Sequence, residues 1–265
     1  MQKNFLAQLP VKLKVLDVCV STTLSYGCET WGRASVNSIE VTYRQGLKRA
    51  LSIRESTNTE IVYIEANRLP LNIRITRQQL KFWNSIQMYL SENPDHPLGQ
   101  IIEQAKEIRL PYLEYYERLQ AEYADVKVCE ESLTQNLHDG CLLKIRQKAE
   151  EDEHSRFGVY LQVNPQLEYP THNYQQIPEF ERVLITRYRS GSHNLKIETG
   201  RLCNPTIPRD ERVCSCNTGL QTLHHCLFDC PLLDEIRAGY EYESIEGALK
   251  LPNAAKLLIE IDRVI

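Results

Sequence analysis

Four cysteines and two histidines lie within the seventeen residues 214–230. Cys214 and Cys216 are separated by one residue, His225 follows after eight residues, and Cys230 after another four. Thiolate sulfur and imidazole nitrogen are preferred donors for Zn²⁺, and four of them complete a tetrahedral shell. The spacing therefore predicts one closed, structural zinc site with the ligands Cys214, Cys216, His225 and Cys230. A catalytic zinc is disfavoured, because a full shell leaves no position for water.

Two neighbouring residues leave the ligand set open. His224 and Cys226 flank the chosen histidine, and either could replace one of the four ligands. Core packing is the other explanation for the cluster, since free cysteine is among the most buried residue types. Gly219 is predicted to form the turn between the two halves, because glycine tolerates positive φ. The second half is expected to start a helix that continues past Pro231.

Apolar residues recur with helical spacing along most of the chain, most clearly over 71–90. The helical pattern breaks at 93–97 and at 164–178, where prolines are concentrated. We therefore predict a mostly α fold in three parts. These are a helical domain over 1–92, a helical connector over 98–163, and a C-terminal module over 178–265 that carries the zinc knuckle at 214–230.

The first helix of the predicted C-terminal module spans 179–189. Its pattern predicts that Phe180, Val183, Leu184 and Tyr188 face inward. Arg182 and Arg189 fall on another face of this helix, which the same pattern leaves outside the core.

Charge is unevenly distributed, although the net charge is only −4. Residues 1–90 contain 12 Lys and Arg against 6 Asp and Glu, whereas 91–265 contain 19 against 29. The basic third is the better place for a polyanion such as RNA or DNA, bound through its phosphate backbone. A solvated helix face is the alternative explanation. The candidate phosphate contacts in this third are Arg44, Lys48, Arg74, Arg77 and Lys81.

Several classes of protein are disfavoured by what the sequence lacks. The N-terminus does not resemble a cleavable signal peptide, and no apolar run reaches the roughly 18 residues typical of a membrane span. Nine clustered cysteines without a secretory signal favour a reducing compartment. We expect an intracellular protein, nuclear or cytoplasmic and not secreted, without a membrane partner. No phosphate-binding glycine loop or nucleophile elbow is present, so no small-molecule substrate is expected.

Two stretches carry motifs in a recognisable order. The first contains YGCETWG at 26–32, IE at 39–40, TN at 57–58, Glu65, RLPL at 68–71 and FW at 82–83. The second contains RYRSGSHNLKIETGR at 187–201, RVCSC at 212–216, His225, CP at 230–231 and Arg237. Together they resemble the C-terminal part of non-LTR (LINE-type) retrotransposon reverse transcriptases. There the first stretch is similar to the thumb that follows the polymerase palm, and the second to the terminal Cys-Cys-His-Cys knuckle.

The resemblance implies a helical thumb-like domain, a helical connector and a zinc-stabilised tail that grips template RNA or target DNA. It also implies nuclear residence at the point of action, and it assigns the same four zinc ligands. By position in the second stretch, it adds four nucleic-acid contact candidates, which are Arg187, Arg189, His193 and Arg201.

The sequence departs from this family in the parts that perform catalysis. The endonuclease, fingers and palm would all lie upstream, and YADV at 123–126 lacks the second aspartate that a two-metal polymerase site needs. We therefore expect no catalytic residues and no enzymatic activity from this chain alone. It would act as a nucleic-acid-binding fragment, with an upstream palm-bearing polymerase chain as a candidate partner. The alternatives are a zinc-stabilised structural or protein-interaction module and a decayed fragment without function.

Overall fold

The computed structural model describes residues 8–31, 36–123, 126–170 and 177–265. Helices make up 69% of the chain, and within these residues the only extended pairing is one antiparallel bridge between Val213 and Leu220. The predicted mostly α fold is confirmed. Gly32 and Asp125, which belong to the sequence motifs, lie outside the described residues, as does the stretch 171–176 of the predicted linker.

The helices are mostly short. They are α1 (Leu9–Val15), α2 (Ser21–Leu24), α3 (Cys28–Trp31), α4 (Val36–Leu51), α5 (Thr59–Ala66), α6 (Leu71–Glu92), α7 (Pro97–Glu107), α8 (Pro111–Glu122), α9 (Val126–Glu151), α10 (Arg156–Val163), α11 (Glu179–Arg189), α12 (Lys196–Thr199), α13 (Asp234–Arg237), α14 (Ile245–Lys250) and α15 (Ala254–Val264). Among the described residues, no helix combines the length and apolarity needed to cross a lipid bilayer.

The chain forms two compact units, and each draws on separate parts of the sequence. Unit 1 consists of Met1–Val15, Arg44–Arg68 and Leu142–Ile265. Unit 2 consists of Leu16–Tyr43 and Leu69–Cys141. The division into 1–92, 98–163 and 178–265 stays a prediction from the sequence.

Unit 2 is built around the long helix α6. Trp83 of α6 stacks on Tyr116 of α8, with ring centroids 5.3 Å apart and planes inclined by 17°. The hydroxyls of Tyr112 and Tyr116 both donate to the backbone carbonyl of Glu29 at 2.6 Å, which ties α8 to α3. The aromatic residues of α8 therefore anchor two other helices of this unit.

Unit 1 has a buried polar network where α5, α10 and α11 meet. Glu65 is fully buried and receives hydrogen bonds from Arg189 at 3.1 and 3.2 Å and from the Tyr160 hydroxyl at 2.8 Å. Burial and the adjacent carboxylate raise the pKa of Tyr160 well above its usual value, so its hydroxyl remains a donor. Asn164 extends the network by donating to the Tyr160 oxygen at 3.3 Å.

The inward face predicted for α11 is wrong in part. Tyr188 is buried as expected, but Phe180 is 61% exposed, and Arg182 and Arg189 are buried instead. Both arginines can be buried because each is paired with a carboxylate. Arg182 binds Glu179 through two hydrogen bonds of 2.8 Å, and Arg189 binds Glu65. A pattern of apolar residues cannot reveal such pairs.

The C-terminal part of unit 1 packs into one hydrophobic core. Cys214 and Cys230 are buried there beside Leu223 and Leu227, and residues of α14 and α15 complete the cluster. The Ser215 hydroxyl donates to the carbonyl of Ile265, the last residue, at 3.4 Å. The cysteine–histidine cluster thus lies against the helices that end the chain.

Candidate metal centre

A tight hairpin supplies the first two ligands. The Cys214 amide donates to the Gly219 carbonyl at 2.8 Å, and the Asn217 amide donates to the Cys214 carbonyl at 2.9 Å. Asn217, with φ of 61°, adopts the left-handed conformation that closes this turn. The prediction that Gly219 provides positive φ is therefore wrong, because asparagine takes that role.

Gly219 instead leaves room for the histidine of the cluster. A Cβ atom at this position would lie 3.2 Å from His225 Nδ1 and 3.4 Å from His225 Cε1. The imidazole thus packs against the bare backbone of the hairpin. In consequence its other nitrogen, Nε2, reaches the Cys216 sulfur at 3.2 Å.

The second half of the cluster consists of short helical turns. His225–Asp229 forms one π-helical turn, in which the Thr222 hydroxyl accepts a hydrogen bond from the His225 amide at 3.0 Å. Cys230 is extended and its amide donates to the His225 carbonyl at 2.8 Å. The turn Pro231–Leu233 and α13 follow. The predicted start of a continuous helix is thus replaced by turns that break at Cys230.

The four predicted ligands come together in one cluster that can hold a metal ion. Their donor atoms, three sulfurs and one nitrogen, all lie within 4.8 Å of one another. The sulfurs of Cys214 and Cys230 are 3.8 Å apart. Zinc–sulfur bonds of about 2.3 Å in a tetrahedron place two sulfurs ~3.8 Å apart. The donor set and this separation fit a tetrahedral ion.

The two alternative ligands point elsewhere. His224 is exposed, and its Nδ1 lies 3.1 Å from a carboxylate oxygen of Asp229. Cys226 is fully buried in the apolar core and does not belong to the cluster of donor atoms. Burial raises the pKa of the Cys226 thiol, which keeps it protonated and apolar in character.

The cluster has two electrostatically different thiols. Desolvation opposes ionisation of Cys216, but hydrogen bonds from the Thr218 hydroxyl and amide and from His225 outweigh it and lower its pKa to about 6. Burial raises the pKa of Cys230 to about 11. Cys216 therefore ionises more readily than Cys230, and the thiolate is the form of cysteine that binds metal.

Two residues support the ligands, of which the sequence motifs included Arg237 but not Thr218. The Thr218 hydroxyl lies 3.0 Å from the Cys216 sulfur. Arg237 donates from Nη1 to the Cys230 carbonyl at 2.6 Å and fixes the backbone of the last ligand. Thr218 lies two residues after Cys216, and this short separation could have indicated from the sequence that its hydroxyl reaches the sulfur.

The basic residues predicted on α6 of unit 2 have different surroundings. Arg74 is half-buried and donates to the Ser21 hydroxyl at 2.6 Å and to the Asp17 carbonyl at 3.1 Å. Arg77 and Lys81 are exposed. Arg74 therefore has an internal structural use, and the Lys81 side chain is available to solvent.

The basic candidates of unit 1 also include half-buried and exposed side chains. Arg44 and Lys48 are half-buried on α4, and Arg44 donates to the Thr59 hydroxyl at 3.1 Å. Arg187 is exposed and bonds the Ser52 carbonyl at 2.9 Å through Nε alone. Arg201 is partly exposed and lies 3.6 Å from Glu198.

Two candidates are inaccessible to a nucleic acid in this structure. Arg189 is buried in its ion pair with Glu65. His193 is buried against the ring of Tyr188, with ring centroids 4.9 Å apart, and its Nδ1 accepts a hydrogen bond from the Leu195 amide at 3.3 Å. Burial, followed by the nearby Arg54, Arg156 and Arg201, lowers the pKa of His193 to about 3. This histidine is neutral and packed rather than cationic and exposed.

Comparison with known proteins gives no assignment. No protein-family model, no curated protein and no solved structure matches this chain. The cysteine–histidine cluster and the basic residues within each unit are therefore the features that bear on function.

Proposed function

We propose that this chain is a zinc-stabilised nucleic-acid-binding module, similar to the C-terminal part of a LINE-type reverse transcriptase and without catalytic activity of its own. The observation that carries the proposal is the convergence of Cys214, Cys216, His225 and Cys230 on one point within the C-terminal core. Zinc is the ion that best suits three thiolates and one imidazole in a tetrahedral arrangement.

The role we propose for the ion is structural. Two of the four ligands, Cys214 and Cys230, are buried in the same hydrophobic cluster as α14 and α15. Four protein donors complete the shell, so the ion links the hairpin to the turns that follow it. Binding free energy at such a site contributes directly to folding.

Metal analysis with matched variants tests this role. The wild-type protein should contain one zinc ion, and chelation should lower its melting temperature. Cys214→Ala should lose the zinc, whereas Cys226→Ala, which truncates a buried cysteine of the same core outside the cluster, should keep it. Equal zinc content in the two variants would refute the ligand assignment, even if both variants are less stable.

The nucleic-acid part of the proposal is supported by the exposed cations. Arg187, Arg77 and Lys81 present charge to solvent. Contacts of such cations with phosphates release counterions, so affinity falls steeply as salt rises. Binding of labelled RNA and DNA oligonucleotides should be strong at low salt and should weaken linearly in a plot of log affinity against log salt. Absence of binding at low salt would contradict the proposal.

A protein-interaction module is the second candidate, and one observation favours it. Arg182 and Arg189 form ion pairs with carboxylates inside the fold, so they are not available to phosphates. The net charge of the chain is also negative, at −4. In that case the zinc would only hold the fold together. A stable protein complex, combined with no affinity for nucleic acid at low salt, would support this alternative.

A further inference from the structure

Three arginines from distant parts of the sequence meet at the loop 52–56 of unit 1. Arg54 belongs to the loop itself. Arg156, at the start of α10, donates to the Ser56 carbonyl at 2.6 Å. Arg187 of α11 donates to the Ser52 carbonyl at 2.9 Å. The backbone of one short loop therefore binds two guanidinium groups, and a residue of the same loop supplies the third.

The loop is fixed by the segment that follows α11. The Arg54 amide donates to the Ser192 hydroxyl at 3.2 Å, and Thr57 and Ser192 hydroxyls lie 2.9 Å apart. Arg54 Nη2 also donates to the Asn194 side chain at 3.1 Å. These bonds hold the position of the arginines before any ligand binds, which reduces the entropy lost on binding.

The positive charge at this place is only partly neutralised. Arg156 pairs with Glu198 at 3.1 Å, and the same carboxylate lies 3.6 Å from Arg201. Lys48 donates to the backbone carbonyl of Glu55, and the Glu55 carboxylate offsets part of its charge. Among the described residues, Arg54 Nη1 is buried and has no hydrogen-bond partner.

Repulsion between the cations is visible in their ionisation. Burial lowers the pKa of Arg54, Glu198 opposes this effect, and the nearby Arg156 and Arg187 add to it. Burial likewise lowers the pKa of Lys48, and Arg44 and Arg156 contribute in the same direction while Glu55 opposes them. A bound anion would relieve this repulsion.

We propose that Arg54, Arg156 and Arg187 form a phosphate-binding site for the backbone of a nucleic acid. The proposal rests on the proposed function and deepens it, because Arg54 and Arg156 were not among the residues predicted from the sequence. Guanidinium groups bind phosphate oxygens through paired hydrogen bonds, so they suit this ligand better than lysine does. Arg187 is the exposed member of the site. Its Nε is bonded to the loop, which leaves its two terminal nitrogens for a phosphate.

The test measures how binding of a labelled single-stranded RNA depends on salt. Arg187→Gln removes an exposed cation and one internal bond, so the variant should fold. Arg146→Gln is the matched control, because Arg146 is exposed on α9 of the same unit and its loss changes the net charge equally. We expect Arg187→Gln to weaken binding about tenfold at low salt and to reduce the slope of log affinity against log salt by about 0.7. Arg146→Gln should change neither quantity.

Arg156→Gln provides a second variant with the same expected loss, once its melting curve shows that it is folded. If Arg187→Gln and folded Arg156→Gln both bind as the wild type does, while Arg77→Gln or Lys81→Gln weakens binding, the site is wrong and the proposed function stands. If the wild type binds no RNA or DNA at low salt, the site and the proposed function are both wrong.

Pyrophosphate is tested as a small-molecule ligand in the same variants. If pyrophosphate binds as tightly as the RNA and loses affinity in the same variants, the site takes small phosphates, and the nucleic-acid assignment is overturned.

Discussion

Arg189 Nε lies 3.1 and 3.2 Å from the two carboxylate oxygens of Glu65, and both side chains are buried. The pair joins α11 to α5, and the Tyr160 hydroxyl on α10 completes it. Because neither charge can reach water, each depends on the other for its solvation.

Removal of one charge from this pair should be strongly destabilising. We expect Glu65→Gln to lower the free energy of unfolding by about 3–5 kcal/mol, since it leaves a buried guanidinium uncompensated. Glu151→Gln is the control, because it breaks an exposed i,i+3 pair with Lys148 worth about 0–1 kcal/mol. Chemical denaturation of both variants measures the difference. Similar values for the two would show that the buried pair does not hold the helices.

The close approach of Gly219 to His225 makes a second prediction. A methyl group at Gly219 would meet the imidazole at 3.2 Å and shift its Nε2 away from Cys216. Gly219→Ala should therefore weaken zinc binding about 10- to 100-fold, as other changes around metal ligands do. Gly140→Ala is the control, since nothing lies within 4 Å of a Cβ at that position.

Competition with a chromophoric chelator measures this affinity directly. Gly140→Ala should retain the affinity of the wild type. If Gly219→Ala also retains it, the imidazole is not held against the hairpin in the way described.

The buried His193 should make stability depend on pH. Its pKa is about 3 in the folded protein, against an ordinary value of 6.5. As the pH falls, His193 is therefore protonated in the unfolded state before it is protonated in the folded state. Its contribution to the free energy of unfolding is complete above pH 6.5 and is lost between pH 6.5 and about 3. The loss should reach at most about 1.4 kcal/mol per pH unit.

His193→Gln should flatten this dependence, although it also removes the stacking on Tyr188. The quantity to compare is the slope of the free energy of unfolding against pH in the wild type and in His193→Gln. The zinc ligands add the same pH dependence to both proteins, so a difference in slope is due to His193. Equal slopes in the wild type and the variant would contradict the assignment to His193.

Arg74 should act on the stability of unit 2. Its guanidinium binds the Ser21 hydroxyl and the Asp17 carbonyl, so Arg74→Gln should cost about 1.5–3 kcal/mol. The exposed Lys81 of the same helix is the comparison, and Lys81→Gln should leave the melting temperature nearly unchanged. A stability loss confined to Lys81→Gln would reverse the roles given to the two residues.

The ligand set could be predicted from the sequence, but the choice among neighbours could not be proved there. Sulfur and imidazole chemistry together with spacing selected Cys214, Cys216, His225 and Cys230, and the structure brings these four together. His224, adjacent to His225, points away, because successive residues of a helical turn project in different directions. Only the backbone fold shows which of the two faces the hairpin.

The fate of the basic residues was harder to predict. A helical pattern shows which residues share a face, but it does not show where a carboxylate from elsewhere will meet that face. Arg189 was predicted to contact nucleic acid, whereas its partner Glu65 lies 124 residues earlier in the chain. Arg54 and Arg156 belong to no sequence motif. They lie far apart in the sequence and are brought together only where Arg156 binds the loop 52–56.

The division of unit 1 between Arg44–Arg68 and Leu142–Ile265 has a consequence for biosynthesis. Glu65 leaves the ribosome 124 residues before Arg189 does. At about 5–20 residues per second, Glu65 waits roughly 6–25 s for the arginine that pairs with it. For the earlier part of that interval Ile61 also lacks Ile145, Phe157 and Tyr160, the partners of its hydrophobic cluster. The first half of unit 1 therefore leaves the ribosome without the contacts that bury it.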